Sequence, residues 1–231
     1  MTALLDALSF LTILPLPCPL VSDRAGERMV RALAWFPLVG ALAGALAGGI
    51  AWATWNLWGQ AIGAWLGLAA LAVITGGLHL DGFADTMDGL GAWKGRQETL
   101  EVMRDSRIGA HGAAALIFLL AVQWSALRQM TPHFWPVALA AIGALSRLGL
   151  VLSAQIFPYA AGKSGIGRLV TDRRSPRSVA VACCFGLGIA AVCLGFPRAL
   201  CLLAGVLALS GLSNLFFLRW LGGITGTRWG R

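Results

Sequence analysis

The chain has 231 residues, of which 58% are hydrophobic and 12% are Asp, Glu, Lys or Arg, about half the charged share of a soluble domain. A mean hydropathy of +0.75 and long uncharged runs argue against a soluble enzyme, a disordered chain and a nucleic-acid partner, and point to a polytopic membrane protein. The formal charge of +8, from 18 basic and 10 acidic residues, then reads as the bias that orients membrane helices.

Met1 to Leu20 is apolar but has no Lys or Arg ahead of it, and Pro15, Pro17 and Pro19 interrupt it. It reads as an interfacial or re-entrant segment, not a cleaved signal peptide, because Leu4 to Leu14 is too short to span. Ala32 to Leu80 contains no charged residue, which predicts a hairpin of two spans, 32–55 and 61–80, turned around Asn56 to Gln60. Further spans are expected at 110–127, 134–157, 179–196 and 199–218, each near the roughly 20 residues that cross about 30 Å of hydrocarbon. The short break at Pro197 and Arg198 makes the last two a tight antiparallel pair. The expected architecture is an all-α, six-span integral membrane domain covering residues 1–231.

Basic residues test this topology independently. Fifteen of the eighteen fall before the first span or after the second, fourth and sixth, leaving Arg128 and Arg198 opposite and Arg147 inside the fourth. Both termini are therefore expected in the cytoplasm. Gly40, Gly44 and Gly48 form a small-residue stripe that lets another backbone approach; a second copy of the chain is one candidate neighbour. The five Cys residues lack metal-site spacing and read as small buried hydrophobes. Trp58, Trp135 and Trp220 fall near span ends, where indole rings suit the interface.

Six of the ten acidic residues lie between Asp81 and Asp105. Asp81, Asp85 and Asp88 are four and three residues apart, so on a helix their carboxylates share one face. Three such charges repel unless a cation neutralises them, and hard oxygen donors suit magnesium or manganese; an acidic helix turn facing water is the alternative. A divalent cation there could bridge the carboxylates and a pyrophosphate. Lys94, Arg96, Arg104 and Arg107 follow in the same loop. Arg104 and Arg107 flank Asp105 and Ser106, which suits guanidinium contacts to phosphate, although cytoplasmic anchoring would also explain them. His79 falls roughly opposite the Asp face, where a structural hydrogen bond is at least as reasonable as proton transfer. His111 begins the third apolar segment, within reach of the cluster after loop closure, and His133 reads as an interfacial loop residue. Arg147 has no acidic residue in its own span, so it must pair across helices, face a polar pocket or snorkel; it is a second substrate-binding candidate. Gly162-Lys163-Ser164 ends like a phosphate loop, but Phe157 stands where its first Gly is needed.

The run Gly77-Leu78-His79-Leu80-Asp81-Gly82-Phe83-Ala84-Asp85-Thr86-Met87-Asp88-Gly89-Leu90, followed by Met103-Arg104-Asp105-Ser106-Arg107-Ile108-Gly109, strongly resembles the cobalamin synthase family, the adenosylcobinamide-GDP ribazoletransferases. Phe10 to Pro15 resembles that family's amino-terminal segment, and Leu221 to Gly226 the start of its carboxy-terminal motif. The resemblance implies a multi-pass enzyme of the bacterial inner membrane with its active site on the cytoplasmic side. Such an enzyme joins adenosylcobinamide-GDP to α-ribazole or its 5'-phosphate, releases GMP, and uses Mg²⁺. Transferred residue by residue, Asp81, Asp85 and Asp88 bind the metal, and Arg104 and Arg107 place the pyrophosphate. Asp105 orients one of them or supports a general base. The ribose 3'-oxygen of the ribazole attacks the phosphate on the cobinamide arm. A CDP-alcohol-type phosphotransferase fits less well, since no Arg lies between Asp81 and Asp88. An ion-coupled transporter is disfavoured because most charges lie at one membrane edge.

Overall fold

The computed structural model describes residues 2–16, 25–105, 107–160, 171 and 173–223. Among them the regular structure is entirely helical: α1 (Thr2–Leu11), α2 (Ala25–Ala32), α3 (Phe36–Trp58), α4 (Gln60–Ile74), α5 (Leu78–Gly91), α6 (Arg96–Val102), α7 (Ala110–Gln129), α8 (Trp135–Ile156), α9 (Pro176–Leu194) and α10 (Phe196–Leu221). Short 3₁₀ turns, Leu33–Trp35 and Pro132–Phe134, lead into α3 and α8. Five helical segments, Ala25–Trp58, Ala110–Gln129, Pro132–Ile156, Pro176–Leu194 and Phe196–Leu221, are long and apolar enough to cross a membrane.

Proline opens α3, α8, α9 and α10, where its missing N–H removes no helical hydrogen bond. This corrects the expected break at Pro197–Arg198. Gly195, with φ +84°, makes the turn, and Pro197 belongs to the first turn of α10. Gly59, also at φ +84°, joins α3 to α4.

The expected span 61–80 is the main departure. α4 ends at Ile74, and α5 leaves it at 90°. Gly76 and Gly77 adopt φ +61° and +69°, a left-handed region costly to other residues, and the Gly77 N–H donates to the Ala72 carbonyl at 2.8 Å. The acidic motif thus lies on a separate helix set across the end of α4.

α3 is the central helix, and its glycine stripe faces α8 of the same chain. A Cβ on Gly40 would run into the Gly143 carbonyl, one on Gly44 into the Leu139 carbonyl, and one on Gly48 would stand 2.6 Å from the Trp135 carbonyl oxygen. The stripe is therefore filled from within the chain and is not open to a second copy. On another side of α3, Gly63 and Gly67 of α4 bring that helix against Ala51 and Trp55. One core joins α1, α2, α3, α8 and α9 around Leu11, Met29, Phe36, Leu145 and Leu148; a second joins α3, α4, α7 and α8 around Ala51, Leu68, Leu127 and Trp135. Trp135 is fully buried, not interfacial as expected, and its Nε1 donates to the Leu127 carbonyl at 2.9 Å. Trp58 is exposed at the end of α3, and Trp220 packs beside Leu221. Cys183, Cys184, Cys193 and Cys201 are free thiols, with Cys184 and Cys201 exposed on their helices; Cys18 lies outside the described residues.

The amino-terminal segment is a ten-residue helix packed into the first core. Buried Asp6 accepts from Arg28 through Nη2 at 2.6 Å and Nε at 3.1 Å. Beyond α1, the Ile13 N–H donates to the Ile74 carbonyl at 2.9 Å, satisfying an acceptor that the helix break exposes. At the same end Arg173 pairs with Glu27 at 3.1 Å. At the other end Gln60 donates to the Arg128 carbonyl at 2.7 Å, and Trp52 Nε1 donates to His133 Nδ1 at 3.1 Å. Basic segments that precede the first predicted span and follow the fourth thus meet at one end of the bundle.

Candidate active site

α5 presents Asp81, Asp85 and Asp88 along one side, with Asp81 exposed and the other two half-buried. The Asp85 carboxylate lies within electrostatic range of both neighbours. Small residues seat the helix: buried Ala84 and Gly89 face inward, and a Cβ on Gly89 would stand 2.6 Å from Met103 Cγ.

Asp88 has a role not evident from its spacing. Its Oδ2 accepts from the Gly109 N–H and its Oδ1 from the Gly112 N–H, both at 2.7 Å. The carboxylate thereby caps α7, whose first amides have no intrahelical acceptors and whose dipole favours a negative charge. Gly109 and Gly112 are required by this approach, since a Cβ on either would run into the Asp88 carboxylate. That glycine pair at the start of an apolar segment is the sequence signal that could have revealed the contact. The link also anchors the chain just after Arg107 beside the acidic face.

Asp105 accepts from three nitrogens of Arg107: the backbone amide at 3.1 Å, Nε at 3.1 Å and Nη2 at 2.7 Å. These bonds hold the Asp105 carboxyl down at about 2. So weak a base takes no proton near neutral pH, and the residue's geometry is that of an orienting partner for Arg107, the first of the two roles expected of it. Ser106 lies outside the described residues. Lys94 is exposed, next to Trp93, which is 92% exposed and has φ +50°. His111 lies over Gly91 at the end of α5, as loop closure requires.

Three segments distant in sequence close the site's far side. Met103, Ala160 and Leu221 form a small core. The Arg96 guanidinium lies over Gly222, where a Cβ would stand 3.0 Å from Nη2, and Arg104 is within electrostatic range of Tyr159. Gly222 ends α10 at φ +75°, and a Cβ on Gly223 would run into the Pro158 carbonyl. Tyr159 and Gly223 are thus part of the surround that residue spacing left unassigned. Gly223→Ala will push the end of α10 away from 158–160. Turnover is expected to fall about tenfold, equivalent to ~1.4 kcal/mol, with helical content by circular dichroism unchanged; undiminished turnover would show that this contact does not shape the site. Residues 224–226 of the carboxy-terminal motif lie outside the described residues.

Arg147 stands apart from these groups, buried on α8 and within electrostatic range of His79 on α5. Among the described residues no group of three or more His, Cys, Asp or Glu side chains is arranged to enclose a metal ion. A Mg²⁺ site typically takes one or two carboxylates and completes its shell with waters and substrate phosphates. Asp81 and Asp85, oxygen donors on adjacent turns of one helix face, are of the type that role takes; Asp88 shares the face, and each of its oxygens already accepts one amide at the start of α7.

The sequence profile described as cobalamin-5-phosphate synthase matches residues 3–230. The adenosylcobinamide-GDP ribazoletransferase of Klebsiella pneumoniae (strain 342) is 39% identical over 222 residues, covering 95% of this chain and 89% of the relative. That of Roseiflexus sp. (strain RS-1) is 35% identical over 226 residues, covering 97% and 82%. That of Herpetosiphon aurantiacus is 41% identical over 187 residues, covering 78% and 72%. No solved structure matches the chain. With a profile matched almost end to end and relatives similar over most of their length, the chain belongs to the cobalamin-5-phosphate synthase family.

Proposed function

We propose that the chain is an adenosylcobinamide-GDP ribazoletransferase of the bacterial inner membrane, with both termini and the site on the cytoplasmic side. The observation that carries this reading is the hydrogen-bonded link from Asp88 to Gly109, which fixes the chain just after Arg107 against the helix that bears the acidic face. The acidic helix and the basic segment are thus joined, the combination that a diphosphate substrate calls for. In this reading Arg107, aligned by Asp105, and Arg104 hold the diphosphate. Arg96 and Lys94 add further cationic contacts to the substrate, and Asp81 and Asp85 hold Mg²⁺. Bound there, the cation supplies charge neutralisation for the diphosphate and its leaving oxygen.

The ribose 3'-oxygen of α-ribazole or its 5'-phosphate forms a bond to the phosphorus on the cobinamide arm. The bond from that phosphorus to the bridging oxygen breaks, GMP departs with the oxygen, and the 3'-hydroxyl proton is lost. Relatives bearing the ribazoletransferase name support the reaction class, and the concentration of basic residues at one end supports the orientation.

The test uses the purified chain in lipid nanodiscs with adenosylcobinamide-GDP, α-ribazole 5'-phosphate and Mg²⁺. GMP and joined corrinoid are expected in equal amounts, with turnover stopped by excess EDTA and restored by Mg²⁺. Absence of joined corrinoid overturns the assignment, and turnover indifferent to EDTA overturns the metal.

A further inference from the structure

Arg147 is 7% exposed, and none of the ion pairs among the described residues includes it. Its Nη1 donates to the neighbouring Ser146 hydroxyl at 2.9 Å, while its Nε is buried with no acceptor. The side chain is held in place from behind, since a Cβ on Gly40 of α3 would stand 2.8 Å from Arg147 Cδ. His79 lies on the side of α5 turned away from Asp81 and Asp88, within electrostatic range of Arg147. Its Nε2 is likewise buried without a partner. α5 and α8 thus each carry a buried nitrogen without a partner, the two side chains within electrostatic range of one another and one of them permanently charged.

A buried guanidinium without a counter-charge costs several kcal/mol, so the arrangement calls for an anion. The planar guanidinium fork matches phosphate oxygens, and a neutral imidazole protonated at Nε2 adds a further donor. We propose that Arg147 and His79 form a phosphate-binding site, separate from the Asp81–Asp85 face, for a phosphate that is not being transferred.

Two sources carry that chemistry. One, which rests on the function proposed above, is the 5'-phosphate of the ribazole acceptor. That group takes no part in bond making and would be repelled by the acidic face, so a buried guanidinium away from that face, with His79 on the other side of α5, suits it. The other is the headgroup of a phospholipid.

The test follows thermal unfolding of the purified full chain in a phosphate-free sugar detergent, titrated with inorganic phosphate. Wild-type Tm is expected to rise with phosphate and level off; the rise disappears in R147Q and is at least halved in H79A, while R147K keeps part of it. No phosphate-dependent rise in the wild type, or an equal rise in R147Q, overturns the site. Should R147Q fail to fold, H79A decides the matter with the charge left in place, and an undiminished rise there overturns the proposal. This readout needs no turnover, so it fails independently of the joining reaction.

A second arm identifies the source. If R147Q lowers the kcat/KM preference for α-ribazole 5'-phosphate over α-ribazole about tenfold, the site holds the acceptor's phosphate. If the preference is unchanged and added phosphatidylglycerol replaces inorganic phosphate in raising Tm, the site holds a lipid headgroup.

Discussion

Asp85→Asn will suppress formation of the joined corrinoid by roughly 10²–10³-fold, the scale seen when one electrostatic contact to developing charge is removed. The amide has nearly the shape of the carboxylate, so the backbone of α5 keeps its course. What it loses is a negative oxygen donor in the middle of the acidic face, between Asp81 and Asp88. Stability is expected to move the other way. Without metal or substrate, three carboxylates on adjacent turns repel one another, and neutralising the central one relieves both interactions. The Asp85→Asn protein will therefore melt no lower than the wild type in the absence of Mg²⁺, and Mg²⁺ will raise its Tm less. Loss of activity with preserved or raised Tm separates a functional carboxylate from a structural one. Unchanged turnover would remove Asp85 from the site, and a fall in Tm matching the fall in activity would assign it to the fold.

The helices were legible in the sequence because apolar length and the placement of Pro and Gly are local properties. The bend at Thr75–Gly77 was not, since apolar residues continue through Leu78 and Leu80 and hydropathy does not register direction. The informative signal was the Gly76–Gly77 pair, whose positive φ values end α4 before the acidic motif begins. For the site, four-and-three spacing was enough to align the carboxylates of α5. It could not distinguish Asp88 from the other two, because the amides that Asp88 receives lie 21 and 24 residues further on and reach it through packing of α5 on α7. Arg147 was recognisable as a charge in need of a partner from its span alone. His79, within electrostatic range of it, belongs to another helix, and spacing along one span does not register such a neighbour. Trp135 shows the same limit in reverse: a position near a span end suggests an interfacial ring, yet α3 and α7 close over it and leave it buried.

Gly44→Leu will be the most damaging single change in the helix bundle. Gly44 is the middle member of the stripe, with the Leu139 carbonyl in the space a Cβ would occupy and the Ala140 nitrogen at 3.1 Å. Backbone atoms on a helix cannot move aside as a side-chain tip can, so α3 and α8 must separate along the whole seam. That also withdraws Gly40 from Gly143 and Arg147, and Gly48 from Trp135 and Pro136. Overpacking in a tight core costs about 1–3 kcal/mol, and the upper end is expected here because three close contacts share one axis. The control is Gly49→Ala on the same helix, where an added Cβ meets nothing within 4 Å. It should change stability by about 1 kcal/mol or less, since Ala is the better helix former by about that amount. Thermal unfolding of both variants in the same detergent decides the question. A Gly44→Leu protein as stable as Gly49→Ala would mean that α3 and α8 do not meet through the glycine stripe. If instead the variant is destabilised yet folded, the separated helices carry Arg147 away from His79, and the phosphate-dependent rise in Tm is expected to weaken with it. Seam and proposed phosphate site would then be linked through one helix: α8 contributes its backbone to the first and its only charged side chain to the second.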